Sequence, residues 1–199
     1  MSLNKILVLE ERLGMVDKMV KSLKVGISGV IGIGKTDTLK RIISMLSEEG
    51  VNVGGMITEP ILEDNRQMGF QVMNWKTKEK AVFAHLSLDS QIRIKGYGVD
   101  LDALNQVGVR AVKDAIRNED MILVDEIGKM QVESEEFNKI VKIALNVNKP
   151  MILTFNKKSR NPLLQDVRRR DDVRMLELTD VNRDLLPYKV VDLFKEEMD

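Results

Sequence analysis

A glycine-rich segment near the start of the chain has the residue types needed to hold a polyphosphate. Residues 29–36 fit the pattern G-x-x-x-x-G-K-S/T at every fixed position. Glycines let the backbone wrap closely around an anion, and backbone N–H groups at the start of the following helix then face the phosphates. We expect Lys35 to reach the β- and γ-phosphates and the Thr36 hydroxyl to bind Mg²⁺. The residues predicted to bind the nucleotide here are Gly29, Val30, Ile31, Gly32, Ile33, Gly34, Lys35, Thr36 and Asp37.

Asp37 is the unusual residue of this segment, because many such loops carry a second hydroxyl residue there. One interpretation is a carboxylate at the start of a helix, where the helix dipole favours negative charge. The other is that Asp37 weakens binding of the α-phosphate through like-charge repulsion. The first interpretation is favoured for the empty site, and both stay open once a nucleotide is bound.

Two acids follow an apolar strand in the middle of the chain and complete the predicted site. Residues 121–124 are continuously apolar, which is typical of a strand buried on both faces of a parallel sheet, and Asp125 and Glu126 come next. Asp125 is placed to hold Mg²⁺, directly or through water. Glu126 can orient the attacking water or accept its proton. Because such a pair belongs to hydrolases more than to kinases, it favours hydrolysis of a nucleoside triphosphate.

The next apolar strand ends in polar residues that are candidates for sensing the γ-phosphate. In P-loop proteins with paired acids, the strand that follows the acids usually lies beside the strand leading into the loop. Here that strand ends in Thr154, Phe155 and Asn156. We predict Asn156 as the sensor, with Lys35 and Glu126 as the other catalytic residues, and Thr154 as the second candidate. The alternative is that both are ordinary polar residues at a strand end.

These residues need an alternation of strands and helices to position them. Apolar patterning predicts strands at 24–28, 51–58, 121–124, 151–155 and 173–178, and helices at 35–49, 100–118, 134–147, 162–169 and 181–197, the last interrupted near Pro187. Residues 60–73 predict an antiparallel hairpin that turns at 63–66; residues 80–84 predict a strand, and 76–99 are otherwise irregular. The predicted fold class is therefore α/β, with a mainly parallel central sheet flanked by helices and an inserted antiparallel β-hairpin.

The composition of the chain limits the kinds of catalytic chemistry and the cellular location that we expect. The chain of 199 residues has no cysteine and one histidine, so thiolate metal sites, cysteine nucleophiles and disulfides are excluded. We expect an N-terminal arm or helix over residues 1–23 and one domain over 24–199. No uncharged apolar stretch could span a membrane, and no secretory signal is evident, so we expect a cytoplasmic protein. The formal net charge of zero leaves a nucleic-acid partner possible but does not indicate one; we expect a monomer or weak homo-oligomer.

From about Lys24 to Pro187 the chain resembles the thermophile nucleoside-triphosphatase family, whose animal member is the cancer-related nucleoside-triphosphatase. The resemblance implies a RecA-like P-loop NTPase fold and slow, Mg²⁺-dependent hydrolysis of several nucleoside triphosphates, such as ATP and GTP, with loose base preference. It also implies that Asn182 and Arg183 lie near the nucleotide, where Arg183 stacks on the base or contacts phosphate; its alternative is an ion pair with Asp184 or another acid. The residues that carry the resemblance are the phosphate loop, Thr58–Glu59, Gly69–Phe70, Tyr97–Asp100, Asp125–Met130 and Asn182–Asp184.

The chain departs from the family pattern at several positions. The family usually has proline at Ile31 and threonine at Asp37, and a glutamate at Gln131. It often has arginines around the hairpin, where this chain has Leu62 and Gln67. These differences bear on the rate of hydrolysis and on the nucleotide preference.

Two other functions fit the same motifs. The first is a P-loop kinase for a nucleoside, nucleotide or other small acceptor, with residues 60–73 helping to bind the acceptor. The second is a nucleotide-dependent regulatory switch, to which the unusual Ile31 and Asp37 and the N-terminal arm point. Acceptor-dependent release of ADP distinguishes the kinase from the hydrolase, and tight binding with negligible turnover supports the switch.

Overall fold

One mixed sheet forms the centre of the molecule within residues 22–198, which are the residues that the structure, a computed structural model, describes. Its nine strands in that range are β1 (Lys24–Gly29), β2 (Val53–Glu63), β3 (Arg66–Asn74), β4 (Lys80–His85), β5 (Arg93–Ile94), β6 (Tyr97–Val99), β7 (Met121–Asp125), β8 (Met151–Asn156) and β9 (Val173–Glu177). Their order across the sheet is β5-β6-β4-β3-β2-β7-β8-β1-β9. The half from β2 to β9 is parallel, and the half from β2 to β5 is antiparallel.

Helices cover both faces of this sheet. They are α1 (Lys35–Glu48), α2 (Leu101–Ala103), α3 (Arg110–Asn118), α4 (Glu135–Asn146), α5 (Pro162–Arg168) and α6 (Leu186–Met198). A π-helical turn (Leu104–Val109) joins α2 to α3, and a short 3-10 helix (Gln131–Glu133) precedes α4. Apolar residues of α1 and α6 form one hydrophobic cluster with the sheet, and those of α3, α4 and α5 form the other on the opposite face.

The α1 helix shows why the sequence pattern decides these positions. Leu39, Ile42, Ile43 and Leu46 recur at helical spacing and are all fully buried against the sheet, as their periodicity predicts. The strand β7 is buried along its whole length because it lies between β2 and β8 with helices on both faces. The predicted α/β fold with helices on both sides of a mainly parallel sheet is therefore confirmed.

The hairpin region needs one correction. The turn at residues 63–66 is confirmed, with Asp64 and Asn65 both at positive φ, as a tight two-residue hairpin turn requires. However, the predicted strand at 51–58 and the first strand of the hairpin are one continuous strand, β2. Pro60 does not break this strand, because β2 pairs with β7 only as far as Ile57 and has one partner beyond it.

Three smaller predictions also differ from the structure. The irregular stretch 76–99 contains the short strands β5 and β6, which pair at the sheet edge. The helix predicted at 100–118 is not α-helical throughout, because its middle part is the π-helical turn. Pro187 does not interrupt the last helix; it lies in the first turn of α6, where its missing N–H costs no hydrogen bond. The arm predicted over 1–23 lies outside the described residues except for Ser22 and Leu23, and the single domain over 24–199 stays a prediction.

Candidate active site

The glycine-rich loop runs from the end of β1 to the start of α1. Gly32 and Gly34 have φ of 80° and 94°, which side-chain-bearing residues rarely adopt, and Gly34 caps α1. A Cβ on Gly29 would lie 2.8 Å from Ile33 Cγ2 and 3.3 Å from the Leu178 carbonyl oxygen. The loop therefore curves tightly back on itself, with the N-terminus of α1 behind it, which is the geometry that an anion site needs.

Lys35 lies inside this curve. Its Nζ donates a hydrogen bond of 3.1 Å to the Val30 carbonyl oxygen and is 3.9 Å from Glu126 Oε2. The side chain is largely buried although its ammonium is charged. The phosphate loop and the acid after β7 are thus brought to the same place, as the sequence predicts for a nucleotide site.

Asp125 is the most deeply buried acid of the site. Thr36 Oγ1 donates to its Oδ2 at 2.6 Å, and Thr154 Oγ1 donates to its Oδ1. Burial raises the pKa of Asp125 to about 6, although the two hydroxyl hydrogen bonds oppose the rise. Both carboxylate oxygens are therefore fixed in place by hydroxyl groups, and a cation beside them would favour the charged form.

Glu126 differs from its neighbour in reaching the surface, with its side chain 34% exposed. Burial raises its pKa, and the positive charges of Lys35 and Lys95 oppose the rise. Gly128 makes room for it, because a Cβ there would lie 2.9 Å from Glu126 Oε1. A carboxylate with a raised pKa at the boundary between protein and solvent suits a group that orients water or accepts its proton.

The two candidate sensors at the end of β8 point to different partners. The strand lies beside β1 as predicted, with Asn156 opposite Gly29. Thr154 contacts Asp125, whereas Asn156 Oδ1 accepts a hydrogen bond of 2.8 Å from the Lys158 backbone N–H and stabilises the turn after the strand. Both assignments stay predictions, and the geometry brings Thr154 rather than Asn156 into contact with the acid pair.

Asn182 and Arg183 lie in the loop between β9 and α6, next to the phosphate loop. Asn182 Nδ2 donates to the Glu177 carbonyl oxygen, and its Oδ1 accepts from the Thr179 N–H, both at 2.8 Å. Arg183 is exposed, and no ion pair joins it to Asp184 among the described residues. Their predicted contact with the nucleotide stays a prediction; the side-chain contacts of Asn182 are with Thr179 of its own loop and with Glu177 at the end of β9.

Asp37 is exposed in the first turn of α1, which fits a carboxylate favoured by the helix dipole. Its Oδ2 lies 3.9 Å from the position of a Cβ on Gly34, so the carboxylate faces the loop glycine. Repulsion of the α-phosphate by Asp37 therefore stays an open prediction for the bound state.

A polar group on β2, around Thr58 and Glu59, lies outside the predicted site residues, although both residues are among those that carry the family resemblance. Lys40 Nζ and Lys80 Nζ lie 2.7 and 2.9 Å from the Glu59 carboxylate oxygens. Burial alone would raise the pKa of Glu59, but the two lysines lower it to about 2. Next to it, Gln131 Nε2 donates to Thr58 Oγ1 at 3.1 Å. These contacts depend on how β2 meets α1, β4 and the 3-10 helix, which no local pattern contains.

The Thr36 hydroxyl and the Asp125 carboxylate are oxygen donors of the kind that Mg²⁺ prefers, and they lie in direct contact. No group of three or more histidine or acidic side chains suited to a metal occurs among residues 22–198. A site with few protein ligands fits Mg²⁺, which is commonly held by one or two protein groups together with substrate phosphates and water. The residues present therefore fit Mg²⁺ bound with a nucleotide.

Comparison with known proteins agrees with this geometry. The model of a family described as NTPase matches residues 24–191, which include every predicted site residue. The chain belongs to this NTPase family. A relative, the nucleoside-triphosphatase THEP1 of Thermoplasma volcanium, is 32% identical over 176 residues, which are 88% of this chain and 99% of the relative.

Two solved structures of family proteins share the fold. The crystal structure of THEP1 from Aquifex aeolicus has a TM-score of 0.78 at 27% identity, and covers 87% of this chain and 99% of its own. The solution structure of a human cancer-related nucleoside triphosphatase has a TM-score of 0.75 at 26% identity, and covers 88% of this chain and 98% of its own. The predicted P-loop NTPase fold and family are thereby confirmed. Within residues 22–198, every helix is too short or too polar to cross a membrane.

Proposed function

We propose that the protein hydrolyses nucleoside 5′-triphosphates to diphosphate and phosphate with Mg²⁺, slowly and with loose base preference. The observation that carries the proposal is the meeting of Lys35 with Glu126, 3.9 Å apart, next to Asp125 and Thr36. One edge of the sheet thus carries a cation that can bind the phosphates, oxygen atoms that can bind a metal, and a carboxylate that can orient water. Membership of the NTPase family, and relatives that carry the name nucleoside-triphosphatase, support the same activity.

The roles follow from the contacts. Lys35 exchanges the Val30 carbonyl for the β- and γ-phosphate oxygens, while loop N–H groups surround the phosphates. Thr36 and Asp125 hold Mg²⁺, which when bound neutralises part of the charge on the phosphates. Glu126 orients the attacking water and accepts its proton. Thr154 keeps the Asp125 carboxylate in position through its hydroxyl.

The alternative functions have less support. A kinase needs a group that binds and activates an acceptor, whereas the role proposed for Glu126 is to activate water, and the relatives carry the name nucleoside-triphosphatase. A switch with negligible turnover would not need a partly exposed carboxylate with a raised pKa beside Lys35. The cytoplasmic location and the monomeric or weakly associated state stay predictions.

Phosphate release from ATP, GTP, CTP and UTP tests the proposal, measured with Mg²⁺ or with excess EDTA and without any acceptor. We expect Mg²⁺-dependent release from all four nucleotides by the wild type. We expect release to fall at least about a hundredfold in Lys35→Ala. Lys142→Ala, at an exposed position on α4, is the matched control and should release phosphate at the wild-type rate.

Two outcomes would reject the proposal. Binding of nucleotide without release, together with ADP formation when an acceptor mixture is added, would favour the kinase. Release that is equal in wild type and Lys35→Ala would place the activity outside this site or in a contaminant.

A further inference from the structure

The loop between β9 and α6 borders the phosphate loop. The strand β9 pairs with β1 in parallel, with Glu177 opposite Ser28. Immediately beyond it, the Leu178 N–H donates to the Ser28 carbonyl oxygen at 2.7 Å, and the Leu178 carbonyl faces Gly29. The two loops therefore leave the sheet side by side at its carboxyl edge, where ligands of open α/β sheets bind.

Asn182 holds the β9–α6 loop in a fixed shape. Its side chain donates to the Glu177 carbonyl and accepts from the Thr179 N–H, both at 2.8 Å. Its own N–H donates to Thr179 Oγ1 at 3.3 Å, and its carbonyl accepts from the Leu186 N–H at 2.8 Å as α6 begins. Because its amide oxygen and nitrogen both bond within the loop, Asn182 acts as a brace here.

This braced loop presents two large apolar side chains to solvent, beside the exposed charged residues Asp180, Arg183 and Asp184. Val181 is 93% exposed and Leu185 is 70% exposed. On the neighbouring phosphate loop, Val30 and Ile31 are 44% and 72% exposed. Exposed single hydrophobic residues are common, but two adjoining loops that both present them beside a ligand site form the kind of surface that a partly apolar ligand covers.

The ligand already proposed for this site has a matching part. When the phosphates lie against residues 29–36, the rest of the nucleotide extends from the same edge of the sheet. A nucleobase has two flat apolar faces and keeps its distinguishing hydrogen-bond groups on its edges. Valine and leucine side chains can cover a face without contacting an edge donor or acceptor, so purines and pyrimidines would be accepted alike.

We propose that Val181 and Leu185 contact the flat face of the nucleobase and that Asn182 is the positioning residue that holds them there. The inference rests on the proposed nucleotide site and adds to it a physical reason for loose base preference. It assigns the base contact to apolar side chains, in place of the stacking by Arg183 expected from the family resemblance.

The test distinguishes contacts with the base from contacts with the phosphates. We would measure dissociation constants by calorimetry, with Mg²⁺, for the β,γ-imido analogues of ATP and CTP and for inorganic tripolyphosphate. In the double variant Val181→Ser/Leu185→Ser we expect both analogues to bind about tenfold more weakly, because apolar contacts of this size are worth about that factor. Tripolyphosphate, which has no base, should bind as it does to the wild type.

Matched variants complete the design. Ile143→Ser removes an exposed hydrophobic residue of α4, although a less exposed one at 42%, and should leave all three dissociation constants unchanged. Asn182→Ala should weaken the analogues without affecting tripolyphosphate. It should add little in the Val181→Ser/Leu185→Ser background, since the two sites act through one contact. Arg183→Ala should have a smaller effect than the double variant.

Several results would overturn the inference. Unchanged analogue binding in the double variant, with normal binding by the wild type, would reject the base contact and leave the proposed function intact. Equal weakening of tripolyphosphate would show that the loop only supports the phosphate loop. Loss of self-association in sedimentation, with unchanged nucleotide binding, would assign the apolar residues to a second copy of the chain. Failure of the wild type to bind any of the three ligands would reject the proposed function itself.

Discussion

Thr36 donates a hydrogen bond of 2.6 Å to Asp125, so the first turn of α1 is tied directly to the end of β7. These residues are 89 positions apart in sequence. Thr154 from β8 takes the other carboxylate oxygen. Both hydrogen bonds to the carboxylate come from neutral hydroxyl groups, and burial raises the pKa of Asp125 to about 6. Keeping this buried carboxylate ionised therefore costs stability at neutral pH, and a bound cation would offset that cost.

The first prediction is that Asp125→Asn removes the loss of stability caused by the buried carboxylate. Because the folded-state pKa of Asp125 is raised, the free energy of unfolding of the wild type falls as pH rises from about 4 through 6. The variant has no carboxyl group at this position and does not show this fall. We expect the variant to match or exceed the wild type by about 1–2 kcal/mol at pH 7 without ligand, and to release no phosphate. Chemical unfolding at pH 4.5 and 7 measures the change. A variant that is clearly less stable at pH 7 would contradict the account.

The second prediction is a split between binding and turnover in Glu126→Gln. Glutamine cannot accept the proton of water, so we expect turnover to fall by about 10²–10³-fold. Triphosphate affinity should be kept or slightly increased, because Lys35 no longer has a carboxylate 3.9 Å away. Single-turnover hydrolysis and equilibrium binding measure the two effects. Glu136→Gln, in the exposed first turn of α4, is the control. Unchanged turnover in Glu126→Gln would remove Glu126 from catalysis.

The third prediction distinguishes the two candidates on β8. Thr154→Val keeps the shape of the side chain and removes the hydroxyl that holds Asp125, so we expect Mg²⁺ to be needed at about tenfold higher concentration. Asn156→Ala removes a bond to the turn at Lys158, so we expect mainly a loss of stability. Phosphate release as a function of Mg²⁺ concentration tests both variants. A strong loss of turnover in Asn156→Ala, with normal stability, would support Asn156 as the sensor.

The features that could be predicted are those that depend on short, local stretches of sequence. The phosphate loop is a local pattern, and the apolar run before Asp125 identifies a buried strand. The position of β8 beside β1 followed from general knowledge of P-loop proteins with paired acids, and the structure confirms it. The periodic apolar residues of α1 located that helix to within one residue of its observed end.

Features that depend on register across the sheet were not predictable. Nothing local shows that β2 continues through Pro60, because this depends on where β7 stops beside it. The network around Glu59 joins residues of α1, β3 and β4 that meet only in the folded sheet. The family resemblance implied that Asn182 lies near the nucleotide, which stays a prediction, whereas its bond to the Glu177 carbonyl depends on how the folded loop returns to the end of β9.

The last prediction is a pH dependence at Glu59. Its folded-state pKa of about 2 lies below the ordinary value of 4.5, so its ion pairs contribute stability above about pH 4.5 that is lost as pH falls towards 2. Both lysine partners are substantially exposed, which limits the contribution to about 1 kcal/mol. We therefore expect Glu59→Gln to lower the free energy of unfolding by that amount at pH 7 and by much less near pH 2.5. Denaturant titrations of both proteins at the two pH values measure it, and added salt should reduce the difference at pH 7. A cost that is equal at both pH values would mean that Glu59 stabilises the fold by packing or neutral hydrogen bonds, with Gln71 as the remaining partner.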